Sequence, residues 1–250
     1  MNTASGPGHA GDGWTIIVPV KTLGRAKSRL APELSPGTRR ALVVAMATDV
    51  ITACRNTTRV DKVCVVGSDP EIARIAQVLG AEFVVDPTST PTAPGAAPDT
   101  SRAARPDPLN TALSHAMAGV RGAVGVVAAD LPELDSLLLT QILDVAARHP
   151  HSVVTDHRGD GTTMAFWTGS TDRVIHFGAG SADRFRHLGG AEDIAVDNAA
   201  WGGAARDVDI PEDVAGLDAR RVGTATACVL QGVPASLRVR DGAESVTMVR

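Results

Sequence analysis

Four cations follow the first apolar run of this chain. Trp14 to Val18 reads as a buried strand, and the segment Val18-Pro-Val-Lys-Thr-Leu-Gly-Arg-Ala-Lys-Ser-Arg-Leu-Ala-Pro32 then brings Lys21, Arg25, Lys27 and Arg29 into one loop. Open α/β sheets bind ligands in the crevice at the carboxyl ends of their strands. Cations in that crevice suit phosphate, whose oxygens accept charge-assisted hydrogen bonds. A solvated basic loop is the alternative for this segment taken alone.

Carboxylates recur at comparable places. Asp130 directly follows Val124-Gly-Val-Val-Ala-Ala129, the most buried-looking strand of the sequence, and Leu131-Pro132 then turns the chain. A carboxylate there points into the ligand crevice; the competing role is a helix N-cap, although the next helix starts several residues later. Asp207 and Asp209 alternate on a short strand, which places both on one face. One of them can join Asp130 around a hard divalent cation such as Mg²⁺, which takes one or two carboxylates plus substrate phosphates and water. Asp209 suits the alternative of capping the helix that opens at Pro211, so Asp207 is the stronger metal candidate.

Two small-residue loops could receive an anion. Gly159-Asp-Gly-Thr-Thr163 and Phe177-Gly-Ala-Gly-Ser181 each offer backbone N–H groups and a hydroxyl. Singly they are ordinary turns, and Ser181 could equally cap a helix. Gly178 and Gly180 lack the third glycine of a dinucleotide fingerprint, since Asp183 stands there. No GxxxxGK[ST] run occurs, which argues against a P-loop NTPase.

The elements that must position these residues alternate in type. Ser35-Pro-Gly-Thr-Arg opens a helix to about Arg55, with Leu42, Val43, Met46, Val50 and Ile51 at helical spacing. Lys62 to Val66 is a strand, Asp69-Pro-Glu opens a helix that stops at Gly80, and Glu82 to Val85 is a third strand. Repeated β-α-β predicts a parallel sheet with right-handed crossovers. Pro87 to Asp107 is rich in Pro, Ala, Thr and Ser, which predicts a mobile loop at 87–106. Asp107 caps a helix with Pro108 at its first position, Gly122 to Ala128 is a central strand, and a helix runs from Ser136 to Arg148. Ser152 to Asp156 and Thr162 to Trp167 are strands, a helix starts at Ser181, and Ser236 to Val249 could form a hairpin or a frayed appendage.

Composition removes several function classes. The net charge of −4 and the 3% of aromatic residues, without any Tyr, argue against nucleic acid as partner. Cys54, Cys64 and Cys228 are too dispersed for a zinc site or a disulfide framework, and His149 and His151 read as a surface turn. No apolar run reaches membrane-spanning length, so no membrane partner is expected. Residues 1–13 lack a signal-peptide core and read as a disordered leader of a cytoplasmic protein.

Taken together the set is more specific than its parts. The basic loop, Asp107-Pro-Leu-Asn-Thr-Ala112, Asp130-Leu-Pro, the Gly-Thr loop, Phe177-Gly-x-x-Ser181 and Asp207-Val-Asp-Ile-Pro-Glu-Asp213 appear in an order that resembles nucleotidyltransferases of the GT-A-like fold. The likeness is greatest to the CofC/FbiD guanylyltransferases of coenzyme F420 biosynthesis, and it runs from about Trp14 to Leu217. The resemblance implies one α/β domain over 14–221, with a mostly parallel mixed sheet flanked by helices in a Rossmann-like arrangement; the long 87–106 loop and the end of the chain depart from the family pattern, and 222–250 reads as an appendage. It implies transfer from GTP to phosphoenolpyruvate or 2-phospho-L-lactate with release of pyrophosphate, and a downstream deazaflavin-accepting transferase as partner. Asp130 and Asp207 would hold Mg²⁺, and Thr162, Gly178 and Ser181 would bind the phosphorylated acid. Lys21, Arg25, Lys27 and Arg29 would lie near the triphosphate, with Asp107 and Asn110 beside the guanosine. Competing readings are a cytidylyltransferase or molybdenum-cofactor type nucleotidyltransferase, and a non-catalytic nucleotide sensor on the same fold.

Overall fold

A computed structural model describes residues 13–23, 27–89, 107–169, 173–194, 201–218 and 220–233. Arg25, most of the 87–106 loop, residues 1–12 of the leader and the hairpin segment 236–249 lie outside these residues. The chain alternates β1 (Trp14–Pro19), α1 (Pro36–Asn56), β2 (Val60–Gly67), α2 (Pro70–Val78), β3 (Glu82–Val85), α3 (Pro108–Met117), β4 (Val124–Val127) and α4 (Ser136–Ala146). It continues through β5 (His151–Thr155), β6 (Thr162–Trp167), α5 (Ser181–His187), β7 (Glu192–Asp193), α6 (Gly202–Ala205), α7 (Pro211–Ala215) and α8 (Thr224–Leu230).

The helix starts follow local chemistry. Ser35, Asp69, Asp107 and Asp135 each accept a backbone N–H of the first turn, at α1, α2, α3 and α4 respectively. Proline stands in the first turn of α1, α2, α3 and α7, where a missing N–H costs nothing.

One sheet with the order β3-β2-β1-β4-β6-β5-β7 organises the molecule. β1 pairs in parallel with β2 and β4, β2 with β3, and β5 with β7; only β6 runs against its neighbours. The carboxyl ends of β1 and β4 therefore share an edge with the amino end of β6, where Thr162 stands. Alternation along β1 sends Ile16 and Val18 to a large core beneath α1 and α4, and Ile17 to a second core with Leu113 and Phe185. Both faces are thus covered, which is why the central strands read as continuous apolar runs. At Gly125 an added Cβ would lie 2.7 Å from Phe166 and 2.9 Å from Ile16, so the central strand needs the absent side chain there.

Two expectations change. Residues 206–209 form no strand: they lie beyond the sheet, and Pro211 opens a helix at once. Residues 222–233 also do not separate from the core. Val222, Val229, Leu230 and Val233 pack into it, and Asp49 of α1 accepts the backbone N–H groups of Ala225 and Thr226 at 3.0 and 2.8 Å.

Candidate active site

Asp130 lies in the turn after β4 and caps no helix; Asp135 caps α4 instead, accepting from Leu138 N at 2.8 Å. That leaves the Asp130 carboxylate for Lys27. The Lys27 ammonium makes a very short contact to Asp130 and a 2.7 Å hydrogen bond to Asp209. Its side chain is only 9% exposed. Burial alone would lower the Lys27 pKa, but the charges of Asp130 and Asp209 outweigh it and hold the ammonium above its ordinary range. Lys27 also has φ +53°, alone among the described non-glycine residues in the left-handed region. Such conformations cost free energy and persist where the surroundings over-determine them.

Asp207 and Asp209 both reach this cluster. One carboxylate oxygen from each of Asp130, Asp207 and Asp209 lies within 4.8 Å of the others. Burial pushes the Asp207 carboxyl up to about 6, and the charges of Asp130 and Asp209 push the same way. For Asp209, burial is outweighed by the charge and hydrogen bond of Lys27, with Lys21 and Arg29 adding to them, so its pKa falls below the usual value. Arg29 is 4.0 Å from Asp209 and mostly exposed. The N-cap of α7 is Ile210, and the capping carboxylate is Asp213, which accepts from Asp209 N at 2.7 Å and Ile210 N at 2.9 Å. Asp209 is therefore free to join the site rather than cap the helix.

The donor set fits a hard divalent cation. Asp207 Oδ1 is buried and makes no hydrogen bond, although His157 Nδ1 lies 3.4 Å away and Arg158 Nη1 3.8 Å away. A buried carboxylate oxygen without a donor is costly unless a cation satisfies it. Asp130, Asp207 and Asp209 together offer carboxylate oxygens close enough to meet on one hard divalent ion.

The other predicted residues gather on a second loop. Ser181 Oγ donates to Thr162 Oγ1 at 3.0 Å, joining the start of α5 to the start of β6. Gly178 and Gly180 take φ +118° and +65°, which side chains rarely adopt. Asn110 clamps the same loop: its amide donates to Phe177 O and accepts from Phe177 N, both at 3.0 Å. Asp107 caps α3 through Leu109 N and Asn110 N. Arg184 donates to the carbonyls of His176 and Ala179. Between the two clusters runs the turn 156–161, where Asp156 accepts the N–H groups of Arg158, Asp160 and Gly161.

Sequence reasoning missed His157, Arg158 and Asp213. Asp213 carried a signal, since an acidic residue three positions after an N-cap completes a capping box. Arg158 and His157 carried none, because their role depends on the neighbouring turn.

The sheet thus carries a lysine and a cluster of three carboxylates beyond the carboxyl ends of β1 and β4. Solved structures show the same fold. A Desulfovibrio desulfuricans protein assigned as a nucleotide-diphospho-sugar transferase has a TM-score of 0.58 at 15% identity, covering 88% of this chain and 94% of that one. A nucleotidyl transferase from Methanothermobacter gives 0.51 at 15% identity, covering 81% and 94%. A model of the family described as "Guanylyl transferase CofC like" matches residues 14–93. Phosphoenolpyruvate guanylyltransferase of Mycolicibacterium gilvum is 39% identical over 215 residues, 85% of this chain and 92% of that protein. The protein of the same name from Streptomyces scabiei is 36% identical over 219 residues, 86% and 94% of the two chains. The chain belongs to the CofC-like guanylyltransferase family.

Proposed function

We propose that this protein joins GTP to phosphoenolpyruvate, with 2-phospho-L-lactate as the other candidate acid, in the pathway that builds coenzyme F420. The observation that carries the reading is the convergence of Lys27, Asp130, Asp207 and Asp209 at the strand carboxyl ends, in a chain 39% identical to a phosphoenolpyruvate guanylyltransferase. A phosphate oxygen of the acid attacks the α-phosphorus of GTP. The new P–O–P bond forms as the α–β bond breaks, and pyrophosphate leaves.

Two anions must meet, so catalysis is charge neutralisation and alignment. Asp130 and Asp207, with Asp209, would hold Mg²⁺, which when bound would supply positive charge to offset the repulsion between the two anionic substrates. Lys27 is held charged and points at the same carboxylates; with Lys21, Arg25 and Arg29 it stabilises charge on the departing pyrophosphate. Thr162, Gly178 and Ser181 receive the acid on the loop that Asn110 clamps. No general base is required, because a phosphate monoester with a second pKa of about 6 is already ionised near neutral pH.

No helix among the described residues is long and apolar enough to cross a membrane. The reading places the protein in the cytoplasm with its two metabolite substrates, and its product passes to a deazaflavin-accepting transferase. The test is pyrophosphate release with Mg²⁺, GTP and each of phosphoenolpyruvate, 2-phospho-L-lactate and 3-phospho-D-glycerate, with that transferase present as trap. Release with one acid supports the reading and names the acid. Silence with all three, with activity on CTP and another acceptor, discards it.

A further inference from the structure

Two segments of the site meet on one buried carboxylate that touches none of the reacting groups. The Asp213 side chain is 4% exposed. Its Oδ2 accepts the N–H groups of Asp209 at 2.7 Å and Ile210 at 2.9 Å. Its Oδ1 takes a very short bond from the Arg158 guanidinium and lies 3.5 Å from His157 Nε2. Capping α7 needs only the first of these oxygens. The second ties in the turn whose His157 and Arg158 stand beside Asp207, while the first holds the residue that binds Lys27.

The acidic turn needs such a brace. Asp207 and Asp209 are close to Asp130 and to each other, and like charges drive a turn apart. Among the described residues, 206–209 have no strand partner. Their backbone is held by the Val208 N–H on Asp130 O and by Asp213 on Asp209 N. We propose that Asp213 is a positioning residue for the catalytic carboxylates, setting Asp209 through the turn backbone and Asp207 through the His157–Arg158 segment. The proposal deepens the nucleotidyl-transfer reading and rests on its assignment of these carboxylates to a divalent cation.

The test is Mn²⁺ titration of the nucleotide-free protein by electron paramagnetic resonance, with hydrogen exchange at the Asp209 and Ile210 amides. Asp213→Ala should weaken Mn²⁺ about tenfold or more, as loss of groups that orient metal ligands does. It should also speed exchange at Asp209 and Ile210 while the Val65 and Val126 amides of the central strands stay protected. Asp213→Asn keeps an oxygen for the turn but removes the charge facing Arg158, so its loss should be measurable but smaller than that of Asp213→Ala. Unchanged Mn²⁺ affinity in a folded Asp213→Ala overturns the proposal and leaves the metal assignment standing. If Asp213→Ala does not fold, unchanged affinity in Asp213→Asn overturns it equally. A wild-type protein that binds no Mn²⁺ instead removes the metal assignment, and the proposal falls with it.

Discussion

Val208 donates its backbone N–H to the carbonyl of Asp130 at 3.1 Å. This bond stitches the turn that carries Asp207 and Asp209 to the turn that follows β4. Carboxylates far apart in sequence are thereby held in one register, and neighbours of each turn inherit that register.

Asp130→Asn should lower the rate of pyrophosphate release by about 10²–10³, the usual cost of losing one preorganised electrostatic group. Lys27 keeps Asp209 as partner in this variant, so the fold should survive. Steady-state kinetics with a matched thermal melt checks both halves. Near-normal turnover would remove Asp130 from the mechanism.

Lys27→Met takes the ammonium away from Asp130 and Asp209. Breaking a fully buried pair costs more, but these carboxylates stay partly exposed, so a loss of roughly 1–3 kcal/mol is expected at neutral pH. Mg²⁺ should restore more stability to this variant than to wild type, since the uncompensated carboxylates attract it more strongly. Denaturant melts with and without Mg²⁺ decide the point, and equal increments in the two proteins would contradict it.

Asn110→Ala breaks both hydrogen bonds to Phe177. Each such bond is worth roughly 1 kcal/mol, so KM for the phosphorylated acid should rise about tenfold while KM for GTP holds. The opposite pattern would return Asn110 to the guanosine, as the family resemblance implies.

Acid sensitivity should trace in part to His151, which stacks on Trp167 with ring centroids 4.8 Å apart. Burial lowers its pKa, and its Nδ1 bond to the Gly189 carbonyl only partly offsets this. The unfolded chain therefore binds the proton more readily. Stability from the neutral imidazole is complete above the ordinary histidine pKa of 6.5 and is lost as pH falls through the depressed folded value. His151→Phe should flatten the melting temperature between neutral and mildly acid pH. Some slope will remain, because burial, with the Arg184 charge, also lowers the His176 pKa. An unaltered slope would rule His151 out.

Gly125→Ala should destabilise the fold by roughly 1–3 kcal/mol through overpacking, because its Cβ would meet Phe166 and Ile16. Chemical denaturation measures this directly, and a neutral result would mean that the Phe166 ring moves aside freely.

The elements from β1 to α5, the helix starts at Ser35, Asp69 and Asp107, and the candidate carboxylates were legible in the sequence because each is a local matter. Apolar periodicity, a Ser or Asp before a helix and a proline in its first turn depend on near neighbours. Three questions required the assembled chain. Whether Asp209 caps α7 or faces Lys27 was decided by Asp213, which took the capping role. How Asn110 is held was decided by Phe177, whose backbone C=O and N–H pair with the two ends of its amide. Whether residues 222–233 stand apart was decided by Asp49, which holds the start of α8. The sequence by itself determined which groups can carry charge and which strands must be buried. Only the tertiary structure decided which charges meet, because a carboxylate's role is set by the donors that reach it first, and those donors come from distant parts of the chain.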